Sequence, residues 1–173
     1  MSHQSQLDFV ASLKLKYPEY FYGKKVLEIG SLDINGSIRQ FFTDCDYVGV
    51  DIGPGAGVDV VARGEDLVYP SSYFDVVASC ECFEHNPEWL KTFENMVRMA
   101  RGLVFFTCAT IGRPEHGTTR TSPADAPYCG DYYRNLVAED FINSPFLAKF
   151  EKYQFSSNAS PADLYFYGIC KQS

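Results

Sequence analysis

"VLEIGSLDINGSIRQFF", residues Val26 to Phe42, runs from an apolar, strand-like start through a glycine turn into a segment with helical spacing. Strand, glycine turn and helix in that order open many nucleotide-binding α/β sheets. Here, however, the glycines stand at Gly30 and Gly36, not at the G-x-G-x-x-G spacing of a dinucleotide loop. Glu28 lies within the strand end and Asp33 in the turn, with no Lys or Arg inside the turn to offset them. Two carboxylates repel a pyrophosphate and attract a ligand with a cationic end. Glu28 can also be read as a strand-end acid paired with Lys25.

The alternation of periods extends outward from this stretch. Leu7, Val10, Ala11 and Leu15 share one helical face, which Pro18 ends, so residues 1–22 read as an N-terminal helix. "KVLEIG" is the first strand, and Gly36 to Phe42 predicts a helix with Ile38, Phe41 and Phe42 inward. "DYVGVDI", "VDVVAR" and "YFDVVASCE" read as the next three strands. "PEWLKTFENMVRMARG" reads as a helix with Pro87 in its first turn and Gly102 as its stop. "LVFFTCAT" is a fifth strand, apolar enough to be buried on both faces. "LVAEDFINSPFLAKF" reads as a helix interrupted by Pro145, and "KYQFSSN" and "DLYFYGICK" as an antiparallel strand pair. Strands alternating with helices imply a largely parallel sheet covered on both faces. Ligands of such sheets bind beyond the carboxyl ends of the strands.

Residues 112–135 break the pattern. This long polar segment carries Pro, Gly, His, Arg and Tyr without a period, and structureless loops of that length are usually functional. It reads as a substrate loop or lid.

Composition narrows the class of partner. With 46% hydrophobic and 21% charged residues the chain is globular, and 173 residues suffice for one core. A net charge of −7 and the lack of a basic stripe argue against nucleic acid. No apolar run is long enough to span a bilayer and no signal-peptide pattern opens the sequence, which together argue against a membrane. The six cysteines show no C-x-x-C pairing, which points to a reducing cytoplasm. Cys80 and Cys82 flank Glu81 without a second pair, so they make a poor metal site.

Asp51 ends the second strand about 20 residues after Gly30, where an acid takes ribose hydroxyls in adenosine-binding sheets. With this residue placed, "VLEIGS", "YVGVDI", "EDLVYPSSYFDVVASCECFEH" and "LVFFTCAT" resemble, in order and spacing, the class I S-adenosylmethionine-dependent methyltransferases. The resemblance spans roughly Lys25 to Thr110. It implies an α/β fold of three layers: a doubly wound, mostly parallel seven-stranded sheet with an antiparallel C-terminal strand. Residues 1–173 then read as a single methyltransferase domain, for which a homodimer is compatible. The cofactor implied is S-adenosyl-L-methionine. Glu28, Gly30 and Ser31 would lie along its methionine part, with amides of a helix starting near Asn35 offered to its carboxylate. Asp51 and Ile52 would follow the ribose. Gly64, Glu65 and Asp66 would border the adenine, and Ser79, Cys80 and Glu81 would line the floor. Two departures stand out. Leu32 occupies the place of a family glycine, and Arg63 stands where an acid often precedes the adenine contact.

Methyl transfer to oxygen or nitrogen requires loss of a proton, for which histidine is suited. His85, just past the fourth strand, and His116, in the long loop, are the candidate bases, with Glu84 to orient His85. His3 is remote from these motifs. Glu84 with Glu81 could instead hold a divalent metal, a reading set aside in favour of no metal. Tyr132, Tyr133 and Arg134 are candidates to close over the acceptor. The lack of an Asn-Pro-Pro-Tyr-like segment argues against DNA-base methylation, leaving a small polar molecule or a sugar methylated at oxygen. The rival reading is a non-catalytic adenosine-ligand-binding module, or a partner subunit, on the same fold.

Overall fold

The computed structural model describes residues 4–172; His3 lies outside the described residues. Seven strands form one sheet: β1 (Lys25–Ile29), β2 (Asp46–Asp51), β3 (Val60–Val61), β4 (Phe74–Cys80), β5 (Ala100–Ala109), β6 (Phe150–Ser157) and β7 (Asp163–Cys170). Their order is β3-β2-β1-β4-β5-β7-β6. Every pairing from β3 to β5 is parallel, and β7 runs antiparallel to both β5 and β6. This is the mostly parallel seven-stranded sheet with an antiparallel last strand that the sequence led us to expect.

Strand alternation divides the core in two. Val26, Val76, Ala78, Leu103 and Phe105 point to one face and pack with Val10 and Leu13 of helix α1 (Gln4–Lys16). Leu27, Val77, Val104 and Phe106 point to the other. There they meet α2 (Trp89–Met99) and the short α3 (Ala138–Ile142). Phe106 lies at the centre of this second core, with ring centroids 4.7 Å from Phe141, 4.9 Å from Phe83 and 5.1 Å from Phe166.

Four local expectations need correction. In α1 the buried face is Gln6, Val10 and Leu13, whereas Leu15 is 86% exposed. Gly36 to Phe42 does not form an α-helix. Asp33 Oδ1 accepts from the Gly36 amide (2.8 Å), Gly36 takes φ +122°, and only a 3₁₀ turn, Ile38–Phe41, follows. Pro87 precedes the helix, whose first residue is Trp89. Gly102 is not a helix stop but part of β5. The amide of Ala100 caps α2 and the chain enters the strand directly, and a Cβ at Gly102 would lie 2.6 Å from the Tyr20 ring. Pro145 does separate α3 from a second short helix, a 3₁₀ turn Pro145–Lys149.

Candidate active site

The carboxyl ends of β1, β2 and β4 open into a cavity of about 330 Å³. Parallel neighbours bring these ends together, since Glu28 registers with Gly49 on one side and Ala78 on the other. Gly30 turns the chain out of β1 at φ +82°, and a Cβ there would lie 2.6 Å from Cys82 Cβ. The turn is pinned to β2 by the Gly30 and Ser31 amides, which both donate to the Val50 carbonyl. Ser31 Oγ is buried without a hydrogen-bond partner among the described residues.

Glu28 is 4% exposed at this turn, and Tyr47 Oη donates to its Oε2 at 2.7 Å. Lys25 does not pair with it; its amine lies by the Tyr73 hydroxyl instead (3.3 Å). Burial pushes the Glu28 carboxyl up to about 7, partly opposed by the Tyr47 hydrogen bond and by Arg39. Arg39 itself bonds Asp59 (3.2 Å). At the end of β2, Asp51 accepts from the amides of Leu32 (3.1 Å) and Gly53 (3.4 Å), so its carboxylate is fixed at the cavity wall.

The far end is built from the turn Gly64–Asp66, held by Asn95, whose amide donates to the Gly64 and Glu65 carbonyls. Gly64 allows a close approach to Ile29 and Thr92, either of which a Cβ would meet at 2.7 Å. Glu65 accepts from Asn86 and Thr92, each at 3.1 Å. Asp66 is exposed and stands outside the cavity lining, because the 3₁₀ turn points it outward. Cys80 and Glu81 line the floor; Ser79 does not. Glu81, at φ +51°, accepts from Thr107 Oγ1 (3.0 Å) and lies 3.7 Å from Arg113, which also bonds Asp163 (2.9 Å).

Residues 112–135 fold back over the opening. Asp125 to Cys129, Asp131 and Tyr132 line the cavity. The Tyr128 ring rests on Gly53, where any Cβ would overlap it. Tyr133 and Arg134 do not reach the lining. Tyr133 bonds Asn135 and the Pro114 carbonyl, and Arg134 pairs with Asp140.

His85 lines the cavity, with His116 against it at 5.0 Å between ring centroids. His116 and Glu84 lie behind His85 and outside the lining. Burial holds His85 down to about 3, lowers His116 and pushes Glu84 up to about 8. His85 is thereby held below the near-neutral proton affinity expected of a base, while His116 is lowered by the same cause, burial. Glu84, His85 and His116 bring one potential ligand atom each within 4.8 Å of one another.

Among the lining residues are six carboxylates (Glu28, Asp51, Glu65, Glu81, Asp125 and Asp131) and a single guanidinium, Arg63. Such a cavity disfavours a pyrophosphate. It fits S-adenosylmethionine: Glu28 can receive an ammonium, Asp51 two hydroxyls, and Gly30 lets the backbone approach. Amides from a helix start are not available for the ligand's carboxylate, since the α-helix after Asn35 is absent; Ser31, with its unpartnered hydroxyl, and the loop to Ser37 remain for it.

A sheet of this order with this cavity defines the class I methyltransferase fold. Residues 27–106 match the family model described as "Methyltransferase domain". The cofactor of the class is S-adenosylmethionine. No curated protein sequence matches the chain. Among solved structures, the magnesium protoporphyrin IX methyltransferase of Synechocystis PCC 6803, solved with bound S-adenosylmethionine, is similar at 15% identity and a TM-score of 0.64. That match covers 98% of this chain and 80% of the other. The Haemonchus contortus phosphoethanolamine N-methyltransferase 2 is similar at 15% identity and a TM-score of 0.66, over 96% of this chain and 53% of that one. A carbon methyltransferase is similar at 15% identity and 0.64, over 96% and 54%. The chain thus spans about half the length of two of these three proteins.

Residues the sequence did not single out complete the site. Tyr47 sits directly before the "VGVD" that ends β2, with no motif to mark it. Asn86 was readable as the polar residue after "EH", but its bond to Glu65 is tertiary. Arg113 and Tyr128 gain meaning only from the path of the lid.

Proposed function

We propose that the chain transfers the methyl group of S-adenosylmethionine to an oxygen of a small polar molecule or sugar. The observation carrying this reading is the carboxylate-rich lining around Glu28 and Asp51. When bound, the cofactor supplies an electrophilic methyl group on a sulfonium. Ionised Glu28 holds the ammonium of the methionine part, and Asp51 takes the ribose hydroxyls. Glu65, Gly64 and Asn86 border the adenine end.

The acceptor would enter on the side of His85. Its ring nitrogens are buried without a partner among the described residues, so one is available to accept from an acceptor hydroxyl. Tyr128 and Tyr132 close the lid and exclude water from the transfer. The scarcity of cationic side chains supports a neutral acceptor over a phosphorylated one. Six unbridged cysteines suit a reducing cytoplasm, and no helix among the described residues is long and apolar enough to cross a membrane.

The test is formation of S-adenosylhomocysteine from S-adenosylmethionine against a panel of sugars, phenols, amines and phosphorylated compounds. Turnover dependent on a neutral hydroxyl compound is expected. Turnover with amines or phosphorylated compounds alone would contradict the acceptor assignment.

A further inference from the structure

We propose that Glu84, His85 and His116 form a binding site for one divalent first-row transition-metal ion at the acceptor side of the cavity. The role of the ion rests on the methyl-transfer reading above; the site itself does not. The three side chains come from different places, Glu84 and His85 from the turn after β4 and His116 from the lid. Yet each offers one ligand atom within 4.8 Å of the others. Glu84 is fully buried and His85 is 5% exposed. Five of their polar atoms (both Glu84 oxygens, both His85 nitrogens and His116 Nε2) are buried without a hydrogen-bond partner among the described residues. Buried polar groups are nearly always paired, and a cluster of exceptions calls for an ion or a chemical role.

Details of the surroundings suit ligation. His116 Nδ1 lies 3.2 Å from the Pro114 carbonyl. With Nδ1 as the protonated donor, the lone pair of Nε2 is directed away from that carbonyl, the usual way a second hydrogen bond sets the tautomer of a metal-bound histidine. The His85 and His116 rings meet at 89°, and Tyr133 packs on both, at 5.5 and 5.1 Å. Gly117 lets the lid come this near, since a Cβ there would lie 2.8 Å from His85 Cε1. Glu81, the metal partner of Glu84 in the sequence-based alternative, is engaged by Thr107 and lies near Arg113.

Two imidazoles and one carboxylate make an N₂O donor set. Zinc and other first-row metals accept such a set with positions left open, whereas calcium and magnesium prefer oxygen alone. An acceptor hydroxyl bound at an open position would lose its proton to solvent more readily, as zinc-bound water does when its pKa falls to about 7.

The test is calorimetric titration of chelator-stripped full chain with ZnCl₂, for the wild type and for Glu84→Gln and His116→Ala, with circular dichroism to verify folding. His116 is only half-buried and lies in the lid, so its variant keeps the test open if Glu84→Gln misfolds. One equivalent of zinc on the wild type, with affinity reduced more than tenfold in the folded variants, is expected. No uptake by the wild type, or an undiminished equivalent in the variants, would overturn the site. S-adenosylhomocysteine is titrated on the same samples. Its binding without zinc uptake overturns the metal site alone; zinc uptake without its binding supports the site and counts against the methyltransferase reading.

Discussion

Tyr47 donates its hydroxyl to the buried carboxylate of Glu28 at 2.7 Å, the one side-chain hydrogen bond described for that acid. Burial, aided by the nearby carboxylates of Asp51 and Asp33, outweighs the opposing Tyr47 hydrogen bond and Arg39 and raises the Glu28 carboxyl from 4.5 to about 7. Only the ionised form attracts an ammonium, so affinity for S-adenosylmethionine should rise about tenfold from pH 6 to pH 8. Glu28→Gln should flatten that profile and weaken binding at pH 8 by roughly 10- to 100-fold, the loss of a charge-assisted bond. Calorimetry at several pH values checks both.

The same shift makes a stability prediction of opposite sign. The native state holds this proton more tightly than the unfolded chain, so the stabilising share of Glu28 is full below about 4.5 and declines as pH rises to about 7. Glu28→Gln removes the charged buried form while keeping an acceptor for Tyr47. It should therefore melt higher than the wild type at pH 8, with the difference vanishing near pH 4.5. Thermal melts across that range measure it.

Asp51→Ala should weaken cofactor binding by about 10- to 100-fold, since one carboxylate would serve two hydroxyls. Acceptor affinity, measured with cofactor saturating, should change far less. Equal losses would count against a ribose role.

Gly53 lies under the Tyr128 ring. Gly53→Ala should lift the lid and speed tryptic cleavage after Arg120, and adding Tyr128→Ala should cancel much of the sensitivity to residue 53. Limited proteolysis of the two single variants and the double variant reads this coupling.

Phe106→Ala should cost about 3–5 kcal/mol, because the ring is fully buried among Phe83, Phe141 and Phe166 and the cavity cannot collapse onto one neighbour. Denaturant unfolding measures the loss.

The strands were legible because buried β-runs such as "KVLEI" and "LVFFTCA" carry their own signal, and the family spacing ordered them. Gly36 to Phe42 misled because Ile38, Phe41 and Phe42 have helical spacing, while the Asx turn at Asp33 and the φ of Gly36 leave room for one 3₁₀ turn only. Gly102 looked like a helix stop, yet its missing Cβ serves Tyr20, a contact made across the fold. Within the site, Glu28, Asp51 and His85 were readable because each lies at or just past the carboxyl end of a strand. The inward or outward sense of Asp66, the reach of Tyr133 and Arg134, and the meeting of Glu84 with His116 depend on loop paths that no local pattern encodes.

The central claim, that a carboxylate-rich cavity around Glu28 and Asp51 takes S-adenosylmethionine and not a dinucleotide, is tested most directly by calorimetry of the purified chain with S-adenosylmethionine, S-adenosylhomocysteine and NAD. Saturable binding of the first two, with none of NAD, is the predicted result. Tight binding of NAD without the other two would contradict it.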